Sequence, residues 1–439
     1  MIKINLLNNN IQMRGILLSL FVIAFIGVLT PVNYILPIVI MLFLVISLMI
    51  IKFPDNYGYF VLIISSISLQ YIIHVSLGPL DMASIYKLLL LLMIVMAIFR
   101  LGYNISFVYL PIIFSIILLN SIIFSKLPIN LSYIDIMKAF IGLVTPWGLL
   151  LIRWPRYTWK TIINLICLLP IISASVGGVL TLLGVYQFYS YEYTGVMRFQ
   201  GSNIPAHLAM LAYIAFVVAL IEGKRSHKRY YILALTNFLI LLLTGTRGPL
   251  IATILPISVY FLDNIKAFLS GKIKYLMSLM IFLGVLITMF ILEKDKLLAR
   301  SKSDGGTVLN LSGRDEAWQF FLDKAHDSSL FGKGIGSILL ANDGSIFGGF
   351  VVPHNEYIRF YYETGYVGSI LLLGTFIFTF WLIYRELDKK IRLYYISFVI
   401  GTLIYSFSDN TFSTVQYTVP FCWYLSVMYS ASIKRPISN

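Results

Sequence analysis

His354 is the residue of this chain whose type and setting most favour chemistry. It stands in the segment Pro353-His354-Asn355-Glu356-Tyr357, which closes a long polar stretch in an otherwise apolar sequence. An imidazole exchanges a proton near neutral pH and can therefore act as a general base. Histidines in folded proteins are more commonly structural than catalytic, so His354 needs partners before a role can be assigned to it.

Arginines near the same stretch would supply a second part of such chemistry. Arg247 stands between two apolar runs, and Arg314 opens a predicted helix, where a cation opposes the helix dipole. Guanidinium groups bind phosphate oxygens through paired hydrogen bonds. The pattern indicates an anionic ligand, and contact with lipid headgroups or structural salt bridges is the alternative interpretation. The arginines concerned are Arg198, Arg247, Arg300 and Arg314.

The composition indicates an integral membrane protein. Hydrophobic residues make up 59% of the chain and charged residues 12%, whereas soluble domains carry roughly 25% charged residues. The mean hydropathy is +0.87. We therefore predict an all-α polytopic membrane protein with about 14 transmembrane helices. The predicted spans are 15–30, 33–51, 58–77, 84–100, 105–125, 134–152, 160–185, 204–221, 230–245, 248–263, 275–292, 364–384, 393–408 and 416–432.

The positions of the basic residues behind the net charge of +14 indicate membrane topology and not a nucleic-acid-binding surface. Lysines and arginines cluster at every second connection between the predicted spans, which the positive-inside rule makes cytoplasmic, with Lys126 as an exception. An even number of spans then places both termini in the cytoplasm. Residues 186–203, 244–249 and 293–363 face outward, where the expected anion is a lipid-linked diphosphate.

Three regions follow from this pattern within one integrated membrane domain. They are an N-terminal transmembrane bundle (1–292), an outer loop module (293–363) and C-terminal transmembrane helices (364–439). Residues 293–310 are charged and rich in Gly and Ser, which predicts irregular structure. Ser312 is a candidate helix cap. Apolar residues then recur at helical spacing, so a short amphipathic helix either lies on the outer leaflet or packs on the bundle.

Other motifs argue against competing chemistries. No carboxylate falls in the middle of a predicted span, which disfavours an ion-coupled carrier. No His-Glu-x-x-His motif, Asp-x-Asp pair or Cys/His cluster occurs, so we expect no metal and no cofactor. Cys167 and Cys422 fall inside predicted spans and are expected to be packing residues. The segment Gly332-Lys333-Gly334-Ile335-Gly336-Ser337 lacks phosphate-loop spacing and predicts a tight turn.

Four segments, in this order, resemble the O-antigen ligase/polymerase superfamily of bacterial membrane glycosyltransferases. Each is weak alone, but the ordered set is fairly specific, and the N-terminal half is similar only in being apolar and multi-span. The segments are Met197-Arg198-Phe199-Gln200-Gly201-Ser202; Thr244-Gly245-Thr246-Arg247-Gly248-Pro249-Leu250; Ser312-Gly313-Arg314 through Ser337; and His354-Asn355-Glu356-Tyr357 through Glu363-Thr364-Gly365.

This resemblance implies a GT-C-like fold and an inverting, metal-independent glycosyl transfer at the periplasmic face of the bacterial inner membrane. The donor would be an undecaprenyl-diphosphate-linked glycan. Arg247 and Arg314 would hold the diphosphate, and His354 would be the general base on the acceptor hydroxyl. Further substrate contacts are expected from Arg198, Arg300, Asn355, Tyr357 and Glu363.

The shared motifs leave the acceptor open. We favour a polymerase, which transfers glycan onto another lipid-linked repeat unit, and a ligase acting on the lipid A core is the alternative. Transfer to a protein Ser is disfavoured because no large soluble part follows the last predicted span. A flippase for lipid-linked sugars is the alternative from a different class. The expected partners are the lipid-linked donor and acceptor, the lipid bilayer and a chain-length regulator protein, with no nucleic acid.

The group that orients His354 is also left open. Glu363 follows nine residues after His354, which is the opposite face of a continuous helix. It can orient the imidazole only if the helix begins after the histidine, and otherwise we expect it to pair with an arginine.

Overall fold

The computed structural model describes residues 54–72, 81–191, 196–301, 314–342 and 351–433. The chain divides into two compact units, Met1–Gly58 and Tyr59–Asn439. Of the first unit, residues 54–58 are described, as the start of a helix. All candidate functional residues belong to the second unit.

Helices dominate the described residues, as the sequence predicts. Short 3₁₀ turns occur at Ile105–Phe107, Thr145–Leu151, His326–Ser328 and Ser337–Leu340, and an antiparallel hairpin joins β1 (Tyr189–Tyr191) to β2 (Met197–Phe199). The α-helices are α1 (Pro54–Ile64), α2 (Leu69–Ile72), α3 (Met82–Leu101), α4 (Tyr109–Ile123), α5 (Tyr133–Val144), α6 (Arg156–Leu182), α7 (Pro205–Arg225), α8 (Tyr230–Leu243), α9 (Arg247–Leu269), α10 (Lys274–Ser301), α11 (Arg314–Ala325), α12 (Glu356–Glu386), α13 (Lys389–Ser406) and α14 (Val415–Ser432).

Seven segments of the described residues are long and apolar enough to cross a membrane. They are Met82–Leu101, Ile105–Ile123, Tyr133–Leu151, Arg156–Leu182, Pro205–Arg225, Arg247–Leu269 and Glu356–Glu386. The prediction of an all-α membrane protein is therefore confirmed, while the number of 14 spans stays a prediction. The predicted spans 15–30 and 33–51 lie outside the described residues.

Several predicted boundaries change. The expected span 58–77 is interrupted after α1, because the Ser65 and Ser66 hydroxyls each donate to a backbone carbonyl three residues earlier, at 2.6 Å, and so compete with helix continuation. The expected span 364–384 is part of the longer α12, in which Gly365 has φ 63° and breaks the helical geometry. The run 230–263 is two helices, α8 and α9, joined by a short turn.

The prediction of irregular structure for 293–310 is wrong for residues 293–301, which form the last turns of α10. The reason is local composition. Residues 294–300 are Lys, Asp, Leu, Ala and Arg, most of which favour helix, and the Gly/Ser-rich part begins only after Arg300. Residues 302–313, including the expected cap Ser312, lie outside the described residues.

The centre of the bundle is formed by α7 and α14. About nine-tenths of the apolar window of α7 is buried, and it packs against α6, α8, α9, α13 and α14. Cys167 and Cys422 are buried free thiols, as expected for packing residues. This rigid centre supports the loops that meet at one end of the bundle.

The short helix α11 packs on the bundle, which decides between the two alternatives that the sequence left open. Ala317, Phe321 and Ala325 are buried, and the last two cluster with Ile338 and Tyr362 of the following segments. The glycine-rich segment after α11 is a tight turn, as predicted. Gly332, Gly334 and Gly336 have φ values of 72°, 93° and 86°, which side chains rarely adopt.

Candidate functional site

His354 lies at the end of the bundle, immediately before α12. Its φ of 47° places it in the left-handed region. Residues other than glycine rarely adopt this conformation, and those that do cluster at functional sites. The conformation is supported from both sides. The indole N–H of Trp318 donates to the carbonyl of Pro353 at 2.7 Å, and the Asn355 side chain caps α12 by accepting from the N–H groups of Tyr357 and Ile358.

Asp409 is the group that faces the imidazole. Nδ1 of His354 lies 3.2 Å from Oδ1 of Asp409, and the side chains are 29% and 8% exposed, respectively. The backbone N–H of Asn410 donates to the same oxygen at 2.9 Å. Asp409 belongs to the loop between α13 and α14, so the pair joins two segments far apart in sequence. The half-buried imidazole thus sits on a buried carboxylate and keeps one edge accessible.

The electrostatics of the loop keep Asp409 ionised. Burial alone would raise the pKa of this carboxyl, but the hydrogen bond and charge of His354, the Asn410 N–H and the Arg314 guanidinium hold it below its usual range. An ionised carboxylate can only accept hydrogen bonds. In the neutral imidazole Nδ1 of His354 must then carry the proton, and the basic lone pair is on Nε2.

The two arginines expected to bind the diphosphate both open helices at this end of the bundle. Arg314 is the first residue of α11, and its guanidinium acts on Asp409. Arg247 is the first residue of α9. The next residue, Gly248, packs so closely that an added Cβ would lie 2.3 Å from the hydroxyl of Ser408. The structure therefore brings Arg247, Arg314 and His354 around one loop, 407–414.

Arg198 contacts the turn that precedes α9. Its Nε donates to the carbonyl of Thr244 at 2.8 Å, and one terminal nitrogen donates to the Thr246 hydroxyl at 2.7 Å. These residues form the turn that leads into Arg247. Arg198, on strand β2, thus ties the hairpin to the start of α9, and its contact with substrate stays a prediction.

The remaining residues predicted to contact substrate are Arg300, Asn355, Tyr357 and Glu363. Arg300 lies in the last turn of α10. Asn355 is 2% exposed and acts as the cap of α12. The Tyr357 hydroxyl donates to the carbonyl of Leu403 at 2.8 Å, which ties α12 to α13. Substrate binding by these residues stays a prediction.

Glu363 pairs with an arginine, Arg359, at 3.4 Å. Helix α12 does begin after His354, but the carboxylate is buried and also accepts from the N–H of Gly336 at 2.9 Å. Arg359 lies 3.6 Å from Glu356 as well, whose other oxygen accepts from the N–H of Ser413. This buried cluster connects α12 to the glycine turn and to the loop that carries Asp409.

Sequence reasoning missed Asp409 as a site residue. The available signal was the polar break Ser408-Asp409-Asn410 between the predicted spans 393–408 and 416–432. Nothing in its spacing from His354 indicates contact, because Asp409 follows 55 positions later and the chain between them folds into α12 and α13. His207, at the start of α7, was also overlooked, and it lies close enough to act electrostatically on both His354 and Asp409.

A family model described as O-antigen ligase matches residues 232–373. This match confirms the resemblance to the O-antigen ligase/polymerase superfamily in the segment that holds Arg247, Arg314 and His354. Arg198 precedes the matched residues, and Asp409 follows them. No curated protein matches the chain.

Proposed function

We propose, from the match of residues 232–373 to the O-antigen ligase model and from the cluster around His354, that this chain is a glycosyltransferase using a lipid-diphosphate-linked glycan as donor. The observation that most supports this proposal is the contact of His354 Nδ1 with the buried Asp409. A lone histidine would be unremarkable, whereas an imidazole held by a carboxylate has the arrangement of an oriented general base.

In the proposed reaction, Nε2 of His354 takes the proton of the acceptor hydroxyl. The acceptor oxygen bonds to the anomeric carbon of the donor sugar, and the bond from that carbon to the diphosphate oxygen breaks. The diphosphate leaves with the electron pair. One displacement of this kind inverts the anomeric centre. Asp409 holds the imidazole in the required tautomer and stabilises the imidazolium that forms.

Arg247 and Arg314 are assigned to the leaving diphosphate. Negative charge builds on its oxygens as the glycosidic bond breaks, and preorganised cations aimed at developing charge supply a large part of catalysis. Both residues stand at helix starts, whose free N–H groups also favour anions. Arg198 positions Arg247 by holding the turn at Thr244 and Thr246.

The proposed acceptor is another lipid-linked repeat unit, which makes the protein an O-antigen or surface-polysaccharide polymerase. A ligase acting on the lipid A core is the second candidate, favoured by the description of the matching family. The proposed setting is the bacterial inner membrane with the site toward the periplasm, both termini in the cytoplasm, undecaprenyl as the lipid and a chain-length regulator as partner.

Variants of His354 and Arg247 test the mechanism. Membranes with His354→Ala or Arg247→Ala should lose long-chain glycan and keep single lipid-linked units. Removing a general base costs about 10²- to 10⁴-fold in rate, and removing a group that stabilises developing negative charge costs about 10²- to 10³-fold. His227→Ala, which changes an exposed histidine between α7 and α8, is the matched control. Full-length glycan from both variants at normal expression would exclude the mechanism.

Purified protein with defined substrates separates the candidate activities. Lipid-linked repeat units alone should give a ladder of products if the protein is a polymerase. A single transfer that requires added lipid A core would establish a ligase. No bond formation from substrate already facing the active side would leave the flippase alternative.

A further inference from the structure

A lysine within the membrane bundle occupies a junction between two cavities. Lys87 lies in α3, in an apolar segment long enough to cross a membrane. Its ammonium reaches α5 beside Gly142, where an added Cβ would lie 2.7 Å from Nζ. A cation within such a segment is costly and marks a functional contact. The contact is therefore to be sought in what surrounds the ammonium.

The first cavity is an apolar groove of about 300 Å³ between α3 and α5. Its walls include Leu88, Tyr133, Ile134 and Met137, all of which are exposed on the protein surface. In a membrane these side chains face lipid, so the groove opens to the acyl-chain region. Lys87 and Lys138 both line this groove, and together they give it a basic margin.

The second cavity, the polar cavity, measures about 250 Å³ and is named after the charged side chains in its mixed polar and apolar wall, which again include Lys87. Its other walls include Arg359, Asn410 and Ser413. Asn410 adjoins Asp409 and donates its N–H to that carboxylate. The polar cavity therefore leads from Lys87 toward the loop that holds the general base.

No carboxylate among the described residues forms an ion pair with Lys87. Asp135 on the facing helix pairs with Lys138 at 3.6 Å. Arg359 acts on Lys87 as a like charge, and Asp81 as an opposite charge. Glu363, across the polar cavity, is engaged by Arg359 and by the N–H of Gly336.

We propose that the α3–α5 groove and Lys87 bind the lipid-anchored acceptor, with its hydrocarbon chain in the groove, its phosphate at Lys87 and Lys138, and its glycan passing through the polar cavity toward His354. The inference rests on the proposed function and adds a site for the second substrate. Charge complementarity selects the occupant, since a phosphate-bearing lipid carries an anion next to an apolar chain, as the cation of Lys87 lies in the wall of the apolar groove.

The competing explanation is structural. Glu356 and Glu363 face a single arginine, Arg359, and Lys87 could balance their excess negative charge from across the polar cavity. Removing Lys87 would then lower thermal stability without changing lipid binding. The two explanations therefore differ in a measurable quantity.

Photo-crosslinking of the purified full-length protein with a diazirine-bearing polyprenyl phosphate tests the proposal without requiring catalysis. We expect crosslinks on peptides from residues 82–101 and 133–151, reduced at least fivefold in Lys87→Gln and restored in Lys87→Arg. Met137→Trp should block the groove from the membrane side and lose the same crosslinks, which covers the case in which Lys87→Gln folds poorly. Lys160→Gln, which removes an exposed lysine of α6, is the matched control.

The outcomes separate this proposal from the proposed function. Crosslinks in the groove of His354→Ala, which forms no glycan, would support the lipid site independently of catalysis. Equal competition by phosphatidylglycerol would reduce the groove to a general lipid contact and overturn the proposal. Unchanged crosslinks in both Lys87→Gln and Met137→Trp would also overturn it, even if wild-type protein makes polymer.

Discussion

Nδ1 of His354 lies 3.2 Å from Oδ1 of the buried Asp409, and this contact turns an isolated histidine into an oriented base. The carboxylate belongs to the loop between α13 and α14, and the histidine precedes α12. Since the ionised carboxylate accepts a hydrogen bond from Nδ1–H, Nε2 faces away from it and carries the lone pair. The direction of proton transfer is set by this geometry.

Asp409→Asn should lower the transfer rate about 10²- to 10⁴-fold while leaving the fold intact. An amide nearly matches the carboxylate in shape, but its NH₂ group can donate to Nδ1 and so favour the opposite tautomer. The measurement is the rate of bond formation by purified protein with lipid-linked substrate. Asp388→Asn, which changes the exposed cap of α13, controls for loss of a carboxyl, and an unaffected rate in Asp409→Asn would exclude the oriented-base role.

The lowered pKa of Asp409 also predicts how its effect on the rate depends on pH. The pKa of this carboxyl is held below its usual range, so the carboxylate that orients the imidazole stays ionised through neutral and mildly acidic pH. The ratio of the wild-type rate to the Asp409→Asn rate should therefore be constant over that range and should shrink only in strong acid, where Asp409 takes up its proton. A ratio that falls already near neutral pH would contradict the assignment.

The same lowered pKa predicts the pH dependence of stability. A carboxyl whose folded pKa lies below its unfolded value stabilises the fold above the unfolded value, near 4. That contribution is lost as the pH falls through the folded value. Thermal unfolding of wild type should therefore approach that of Asp409→Asn only in strong acid, and a constant difference between the two down to low pH would contradict the linkage.

The sequence predicts this site unevenly, for physical reasons. Arg247 can be identified because it stands between two apolar runs, and Arg314 because a cation at a helix start violates a local preference. The helices themselves follow from apolar runs. Asp409 cannot be paired with His354 from sequence, because the contact depends on how α12, α13 and α14 pack. Asn355, Tyr357 and Glu363 share a motif with His354, yet their polar atoms bind backbone or buried groups, and residue type alone does not distinguish these roles.

Trp318→Phe should separate the position of His354 from global stability. The substitution removes the 2.7 Å hydrogen bond to the Pro353 carbonyl and keeps an aromatic ring against Phe407. We expect the rate to fall about 10-fold, since small displacements of a catalytic group are costly, with a melting temperature within about 4 °C of wild type. Trp381→Phe, on the exposed face of α12, is the control. Equal rates for the two variants would show that this hydrogen bond does not position the histidine.

Glu363→Gln should act on stability more than on catalysis. It leaves Arg359 buried with one carboxylate partner, Glu356, and breaking a buried pair typically costs about 3–5 kcal/mol. Arg359→Met should lower stability further, because it leaves Glu356 and Glu363 buried without the cation that pairs with both. The readouts are the melting temperature and the KM for lipid-linked substrate, measured at a temperature where the proteins are folded. Glu316→Gln, which changes an exposed glutamate of α11, is the control. A raised KM with an unchanged melting temperature would instead return Glu363 to the substrate-binding role that its motif predicts.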